Sequence, residues 1–228
     1  MKKYGIGARL LACASLIREG TCLADVGTDH AYLPIYLLEA GRISRAVLSD
    51  INEGPLESAR RNVADSGFSD RADLFLCDGA SALADSGAMD YAICGMGGEL
   101  IADIIEGAPH LRSGDIHLIL QPMSKKHLLR AYLFEHGFDV LKEVYSKEDG
   151  KHYVTLLAKY VGERAPFSEA DAELGRIGAA SVTEELTDYM RAYRKTLRKV
   201  ASGKALGGED SSYEERIIKE IERRFDIK

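Results

Sequence analysis

The residues richest in chemistry lie between Leu23 and Asp50, in the run LADVGTDHAYLPIYLLEAGRISRAVLSD. A short apolar stretch ends in Asp25-Val26-Gly27, the polar cluster Thr28-Asp29-His30 follows, and an amphipathic segment begins. A second apolar stretch, Ala46-Val47-Leu48, stops at Asp50. The pattern reads as strand, loop, helix, strand, with an acid at the second strand tip. In α/β sheets, ligands bind off the carboxyl ends of the strands. An aspartate there can accept hydrogen bonds from both hydroxyls of a ribose, so the chemistry expected is capture of a nucleoside-containing cofactor.

The loop narrows the choice. A dinucleotide site needs G-x-G-x-x-G, with glycines for the tight turn, the pyrophosphate approach and helix packing. Here Gly27 is followed by Thr28, Asp29, His30, Ala31 and Tyr32, so the later glycines are absent and Asp29 would repel a pyrophosphate. A carboxylate-rich loop suits a cofactor with positive charge and no phosphate. S-adenosylmethionine, with its sulfonium, ammonium and adenosine, fits. The competing reading is that Asp25, Asp29 and His30 only cap the next helix, a role that suits Asp and Thr.

Three more apolar stretches end in candidate ligand contacts. Cys77-Asp78-Gly79 ends the third: Asp78 can accept from the adenine N6, and Gly79 lets the chain pass close to the ring, although Asp-Gly is also a common turn pair. ICGMGGEL ends the fourth, where Gly95, Met96, Gly97 and Gly98 meet the start of a helix and permit close backbone approach. With no G-K-[ST], a nucleoside triphosphatase is disfavoured. The fifth ends Leu120-Gln121-Pro122-Met123, and the Gln121 amide can either read a base edge or simply end the strand.

Positioning these tips requires a regular frame. Seven strand-like runs are expected at Cys22-Val26, Ala46-Ser49, Ala72-Cys77, Tyr91-Cys94, Ile116-Gln121, Val140-Tyr145 and Tyr153-Tyr160. The segments between the first five are long enough for crossover helices, as a parallel sheet requires. In GPLESARRNVADSG, Pro55 stands near the first turn and Gly67 beyond the end. In KKHLLRAYLFEHG, Leu128, Leu129, Tyr132 and Leu133 share a face and Gly137 is the stop. Asp149-Gly150 between the last two runs signals a hairpin, hence an antiparallel pair at one end of the sheet.

Composition shifts after Gly162. From Ser168 the pattern is helical, with Leu186, Tyr189, Tyr193, Leu197 and Val200 forming one stripe. A break is expected at Ser202-Gly203, with Gly207-Gly208 beyond. Ser211 or Ser212 then opens a last helix through a capping box with Glu214 or Glu215, striped by Ile217, Ile218, Ile221 and Phe225. Residues 161–228 hold 13 basic and 14 acidic side chains, yet no acid falls between Tyr189 and Gly208. Arg191, Arg194, Lys195, Arg198, Lys199 and Lys204 all lie there, and this basic helix with interleaved tyrosines can serve RNA phosphates. The bland alternative is a solvated face with the tyrosines in the hairpin seam. Lys2, Lys3, Arg9, Lys125, Lys126 and Arg130 could extend a basic rim.

The chain of 228 residues carries a net charge of −6 and has four cysteines without metal-type spacing. Buried reduced thiols, no metal site and a cytoplasmic protein are expected. No apolar run approaches the roughly 20 residues of a membrane helix. Arg9, Arg18 and Glu19 interrupt the N-terminal apolar stretch, which reads as a packed helix rather than a signal peptide.

The ordered set DVGTDHAYLP, Gly54-Pro55-Leu56, Cys77-Asp78-Gly79, GMGGELI and ILQPM resembles the bacterial TrmK family of S-adenosylmethionine-dependent transfer RNA adenine-N1 methyltransferases, which modify adenine 22. The resemblance spans nearly the whole region to residue 162. It implies a class I methyltransferase fold, α/β and Rossmann-like with a seven-stranded sheet, over 1–162, and a C-terminal α-helical hairpin or coiled coil over 163–228. It implies S-adenosylmethionine as cofactor, held by Asp25, Gly27, Asp50, Ile51, Asp78, Gly79, Gly95 and Met96. Transfer RNA is the implied partner; from the residues themselves its expected contacts are Tyr32, Gly97, Gly98, Gln121, Arg191, Arg194, Lys195 and Arg198, and a monomer is expected. The family often has Glu at the second strand tip; Asp50 is one methylene shorter but able to make the same contact.

Adenine N1 is nucleophilic when unprotonated, so alignment is the main catalytic task. The product ring is cationic, and Asp29, aided by His30, is expected to stabilise it or take the N6 proton; contact with the cofactor's amino-acid end is the other reading of Asp29. Two further functional readings are open: a methyltransferase of small molecules or proteins, and a non-catalytic RNA-binding protein.

Overall fold

All seven expected runs become strands of one sheet. The computed structural model describes residues 5–177 and 182–227. The strands are β1 (Cys22–Val26), β2 (Arg45–Asp50), β3 (Ala72–Leu76), β4 (Asp90–Gly97), β5 (His117–Ser124), β6 (Phe138–Glu148) and β7 (Lys151–Tyr160), in the order β3-β2-β1-β4-β5-β7-β6. The first five are parallel; β7 runs antiparallel between β5 and β6. The hairpin predicted from Asp149-Gly150 closes that edge, with left-handed φ values of +49° and +75° at the turn.

Helices α1 (Ala8–Leu16), α2 (Tyr32–Glu39), α3 (Glu53–Asp65), α4 (Gly98–Glu106) and α5 (Lys126–Glu135) cover the sheet. Alternation along β1 sends Leu23 into one hydrophobic cluster and Ala24 and Val26 into the other. Gly67 and Gly137 follow α3 and α5 at φ +77° and +80°, the left-handed stops expected of them. The buried face of α5 differs from expectation: Leu128 points out, while Leu129, Arg130, Leu133 and Phe134 are buried. An arginine can enter that face because the Glu143 carboxylate, from β6, meets it there.

The C-terminal helices are α6 (Glu169–Leu174), α7 (Glu184–Leu206) and α8 (Ser212–Phe225). Ser168 and Asp171 form a capping box on α6. The break expected at Ser202-Gly203 does not occur: α7 runs through it and turns at Gly207-Gly208. The box expected at Ser211 or Ser212 is also absent. Asp210 accepts from the Ser212 amide and hydroxyl, and Ser211 bonds the Glu215 side chain instead. Contacts from Arg194 to Ile227, Arg198 to Glu222 and Lys204 to Glu214 step in opposite directions along α7 and α8, so the pair is antiparallel. Val200 is exposed, and Met190 takes a buried place in the seam.

These helices share a hydrophobic cluster with the sheet, joining Leu186, Tyr189 and Ile221 to Tyr145, Val154 and Leu156. Arg130 pins the junction: its guanidinium holds Glu143 through two bonds of 2.8 Å and donates to the Ala172 and Glu173 carbonyls. The four cysteines are free, but of them Cys13 alone is fully buried. Cys77 lies just past β3, and its half-exposed place corrects the expectation of buried thiols.

Candidate active site

Between β1 and β4 the strand order reverses, with crossovers leaving to either side, and the crevice at such a point is where α/β sheets bind ligands. The loop after β1 is built to open there. Gly27 turns the chain at φ +71°, and its amide and that of Thr28 both donate to the Ser49 carbonyl. The Thr28 hydroxyl donates to the Asp25 carboxylate at 2.7 Å. Asp29 and Ala31 then adopt left-handed φ values of +52° and +57°, each costing about 1–2 kcal/mol for a residue with a Cβ. The Asn62 amide donates to the His30 carbonyl at 3.0 Å, and the Asp29 amide makes a long 3.4 Å contact with Asp50.

This strained turn removes the capping reading of the loop. The N-cap of α2 is Ala31, and no side chain caps the helix. Asp29 and His30 are therefore released from capping: Asp29 is 66% exposed, its oxygen 3.6 Å from the His30 Nε2. The His30 ring stacks on Tyr32 with centroids 5.2 Å apart. Together with Asp25, Gly27, Gly95 and Met96 they line a cavity of about 300 Å³. Burial pushes the Asp25 carboxyl up to about 6, against the Thr28 hydrogen bond and with a contribution from the Asp50 charge.

The next tips continue the cleft. Asp50 is nearly buried and accepts from the Asn52 amide at 2.9 Å, while Ile51 beside it is 61% exposed, an apolar surface suited to an aromatic ring. Asp78 and Gly79, with Leu100 and Ile104 of α4, line a second cavity of about 250 Å³. Gly79 stands at φ +58°, and a Cβ there would lie 3.2 Å from Ile104.

At the tip of β4 the ladder with β5 is irregular between Cys94 and Met96. Gly95, at φ +79°, donates its amide to the Gln121 side-chain oxygen at 3.1 Å. The bulge turns Met96 toward the first loop, and its methyl fills the place where a Cβ on Gly27 would sit.

Several expected substrate contacts take other roles. Gln121 is 0% exposed, with its oxygen accepting from Gly95 and from Arg9 (2.8 Å) and its nitrogen donating to the Pro122 carbonyl. It is a strut for the bulge, with no edge offered to a base. Gly98 is needed by packing, since a Cβ there would meet the Lys125 carbonyl at 2.4 Å; Gly97 supplies the N-cap of α4.

The basic cluster also divides. Arg191, Lys195 and Lys199 are exposed at four-residue steps on α7. Arg194 is 13% exposed and spent on Glu222 and the Ile227 carbonyl. Arg198 is exposed but paired with Glu222 at 2.7 Å. Arg130 is buried and so leaves the expected basic rim, Lys125 pairs with Glu99, and Lys126 lies over the Tyr189 ring at 4.8 Å. The tyrosines of α7 belong to the seam: Tyr189 is buried and Tyr193 bonds Glu173. Lys2 and Lys3 lie outside the described residues.

Two contributors to the cleft were not assigned there from sequence. Asn62 sits mid-helix and gives no sequence signal. Arg9 gives one: a charge inside an otherwise apolar helix. No group of three or more potential metal ligands occurs among the described residues, and no helix among them is long and apolar enough to cross a membrane.

A family model described as a methyltransferase domain matches residues 6–156. The tRNA (adenine(22)-N(1))-methyltransferase of Bacillus subtilis (strain 168) is 29% identical, the match covering 100% of this chain and 97% of that protein. The crystal structure of the B. subtilis tRNA methyltransferase TrmK superposes with a TM-score of 0.79 at 29% identity, covering 98% of this chain and 97% of that one. Streptococcus pneumoniae Sp1610, solved in complex with S-adenosyl-L-methionine, superposes with a TM-score of 0.82 at 32% identity, covering 95% and 99%. Since the similarity runs through the strand tips and on into the helical tail, the chain belongs to the methyltransferase-domain family and, within it, to the TrmK group.

Proposed function

We propose that this protein transfers the methyl group of S-adenosylmethionine to N1 of adenine 22 in transfer RNA. The observation that carries the reading is the cleft at the sheet's switch point, whose carboxylate-bearing lining belongs to a chain similar over its full length to enzymes of that activity. The donor set fits the cofactor: carboxylates at Asp25, Asp29 and Asp50 for cationic and hydroxyl groups, exposed Ile51 for the adenine ring and Asp78 for its amine. When bound, the cofactor supplies a methyl group activated by a sulfonium.

The chain's own residues supply the rest. Gly27, Gly95 and Met96 shape the floor, and Asp50 receives the ribose hydroxyls. Asp29, exposed and freed from capping, faces the positive charge that develops on the methylated ring. It accepts the N6 proton directly or through His30, while Tyr32 borders the target base. N1 of a paired adenine is engaged, so the base must leave its pair to react. Arg191 and Lys195, with Lys199, meet RNA phosphates from the helical tail. The protein works as a monomer in the cytoplasm, without a metal.

Mass spectrometry of nucleosides after incubating transfer RNA with methyl-labelled S-adenosylmethionine tests the reading. Label in 1-methyladenosine at position 22 is expected. Label only in another acceptor, or RNA binding with no transfer, would overturn it in favour of a different methyltransferase or a non-catalytic RNA-binding protein.

A further inference from the structure

We infer that Arg9 anchors the cofactor through its α-carboxylate, an assignment that rests on the S-adenosylmethionine reading of the cleft. The amino-acid end of that cofactor is a zwitterion. Its ammonium has acids at hand, but its carboxylate would enter a cavity already holding Asp25 and Asp29, with Asp50 close behind. Among the described residues that line this cavity, Arg9 is the one lysine or arginine.

Its geometry suits the role. Nη1 donates to the Gln121 oxygen at 2.8 Å, and that same oxygen accepts from the Gly95 amide. The guanidinium is thereby fixed beside the β4 tip, half-buried and pre-oriented, while Nε and Nη2 have no acceptor among the described residues. A planar guanidinium with two unused nitrogens is the group best matched to a carboxylate. The end of α1 is not itself the anion site, because the Glu148 carboxylate already accepts from the Arg9 amide at 2.8 Å. Charge and rigidity thus meet in one side chain: the contact that braces the bulge also holds the guanidinium at the cavity wall.

Titration calorimetry on the full chain tests this with two probes, S-adenosylhomocysteine and its decarboxylated analogue. The wild type should prefer the carboxylated probe by about 10- to 100-fold, the span of one charge-assisted contact. Arg9→Met should weaken S-adenosylhomocysteine by that factor and shift the decarboxylated probe less than about twofold, collapsing the preference; Arg9→Lys should retain part of it. Equal weakening of both probes would reduce Arg9 to a brace for Gln121. Unchanged affinity for both, or a loss confined to transfer RNA binding, would also overturn the assignment. A wild type that binds neither probe would overturn the cofactor reading and this assignment together. Failure to methylate transfer RNA, with the carboxylate preference intact, would strike the proposed function alone.

Discussion

At the scale of single residues, the site depends on where two carboxylates stand. Asp29 is held outward by a left-handed backbone, and Asp25 is held inward by Thr28. If Asp29 stabilises the cationic product ring, Asp29→Ala should lower single-turnover methyl transfer by about 10²–10³-fold. Cofactor affinity by calorimetry should change less than about threefold; equal losses would move Asp29 to the cofactor's amino-acid end. Asp25 supplies a pH dependence. Its folded pKa of about 6 lies above the usual carboxylate value, so the empty folded protein holds this proton more tightly than the unfolded chain does. Stability of the free protein therefore falls as pH rises from the ordinary carboxylate range through about 6. A cationic ligand favours the ionised form, so cofactor affinity should rise over the same interval. Calorimetry from pH 5 to 7 should find that rise, and Asp25→Asn should flatten it.

At the scale of elements, glycines and one glutamine decide how closely β4, α4 and the β5–α5 turn can approach. Gly98→Ala places a methyl against the Lys125 carbonyl, which belongs to backbone and cannot swing aside. The expected cost is about 1–3 kcal/mol, read as a fall of several degrees in thermal melting. An unchanged melting temperature would mean the turn relaxes freely. The strand tips were legible in the sequence because each apolar run ends abruptly in a polar residue or glycine. The bulge at Gly95 was not, since it depends on a glutamine from a neighbouring strand and an arginine from a distant helix. Gln121 leaves base reader and strand end equally open in the sequence for the same reason: an amide's partners are set by what folds against it. The α7 break expected at Ser202-Gly203 does not form because packing against α8 overrides a weak local propensity.

At the scale of the molecule, the helical tail and the sheet share one core. Arg130 at their junction is buried with Glu143, so Arg130→Met should destabilise the protein by about 3–5 kcal/mol, the cost of stranding a buried carboxylate. Thermal or urea melts would measure this; a loss below about 1 kcal/mol would mean that the junction hydrates. On the proposed function, the RNA surface of the tail narrows from the basic cluster as a whole to its outer stripe. Replacing Arg191, Lys195 and Lys199 by Glu should weaken transfer RNA binding and lower its salt dependence, leaving cofactor affinity unchanged. Arg194→Glu should instead lower stability, because that side chain holds the end of α8. Unchanged RNA affinity in the triple variant would remove this stripe from the interface.

Sequence alone determined what short-range chemistry encodes: seven strands from their apolar runs, the closing hairpin from Asp-Gly, and the cofactor class from a loop with carboxylates where phosphate glycines would stand. It also carried the ordered motifs through which the family resemblance was legible. Only the tertiary structure decided which way those side chains face. The left-handed turn at Asp29 and Ala31 leaves Asp29 and His30 free of helix capping and at the cavity wall, while burial consumes Gln121, Arg130 and Arg194 in holding the fold together. A residue's type and spacing follow from the chain; its unspent hydrogen bonds and charge are known only after every neighbour has taken its share.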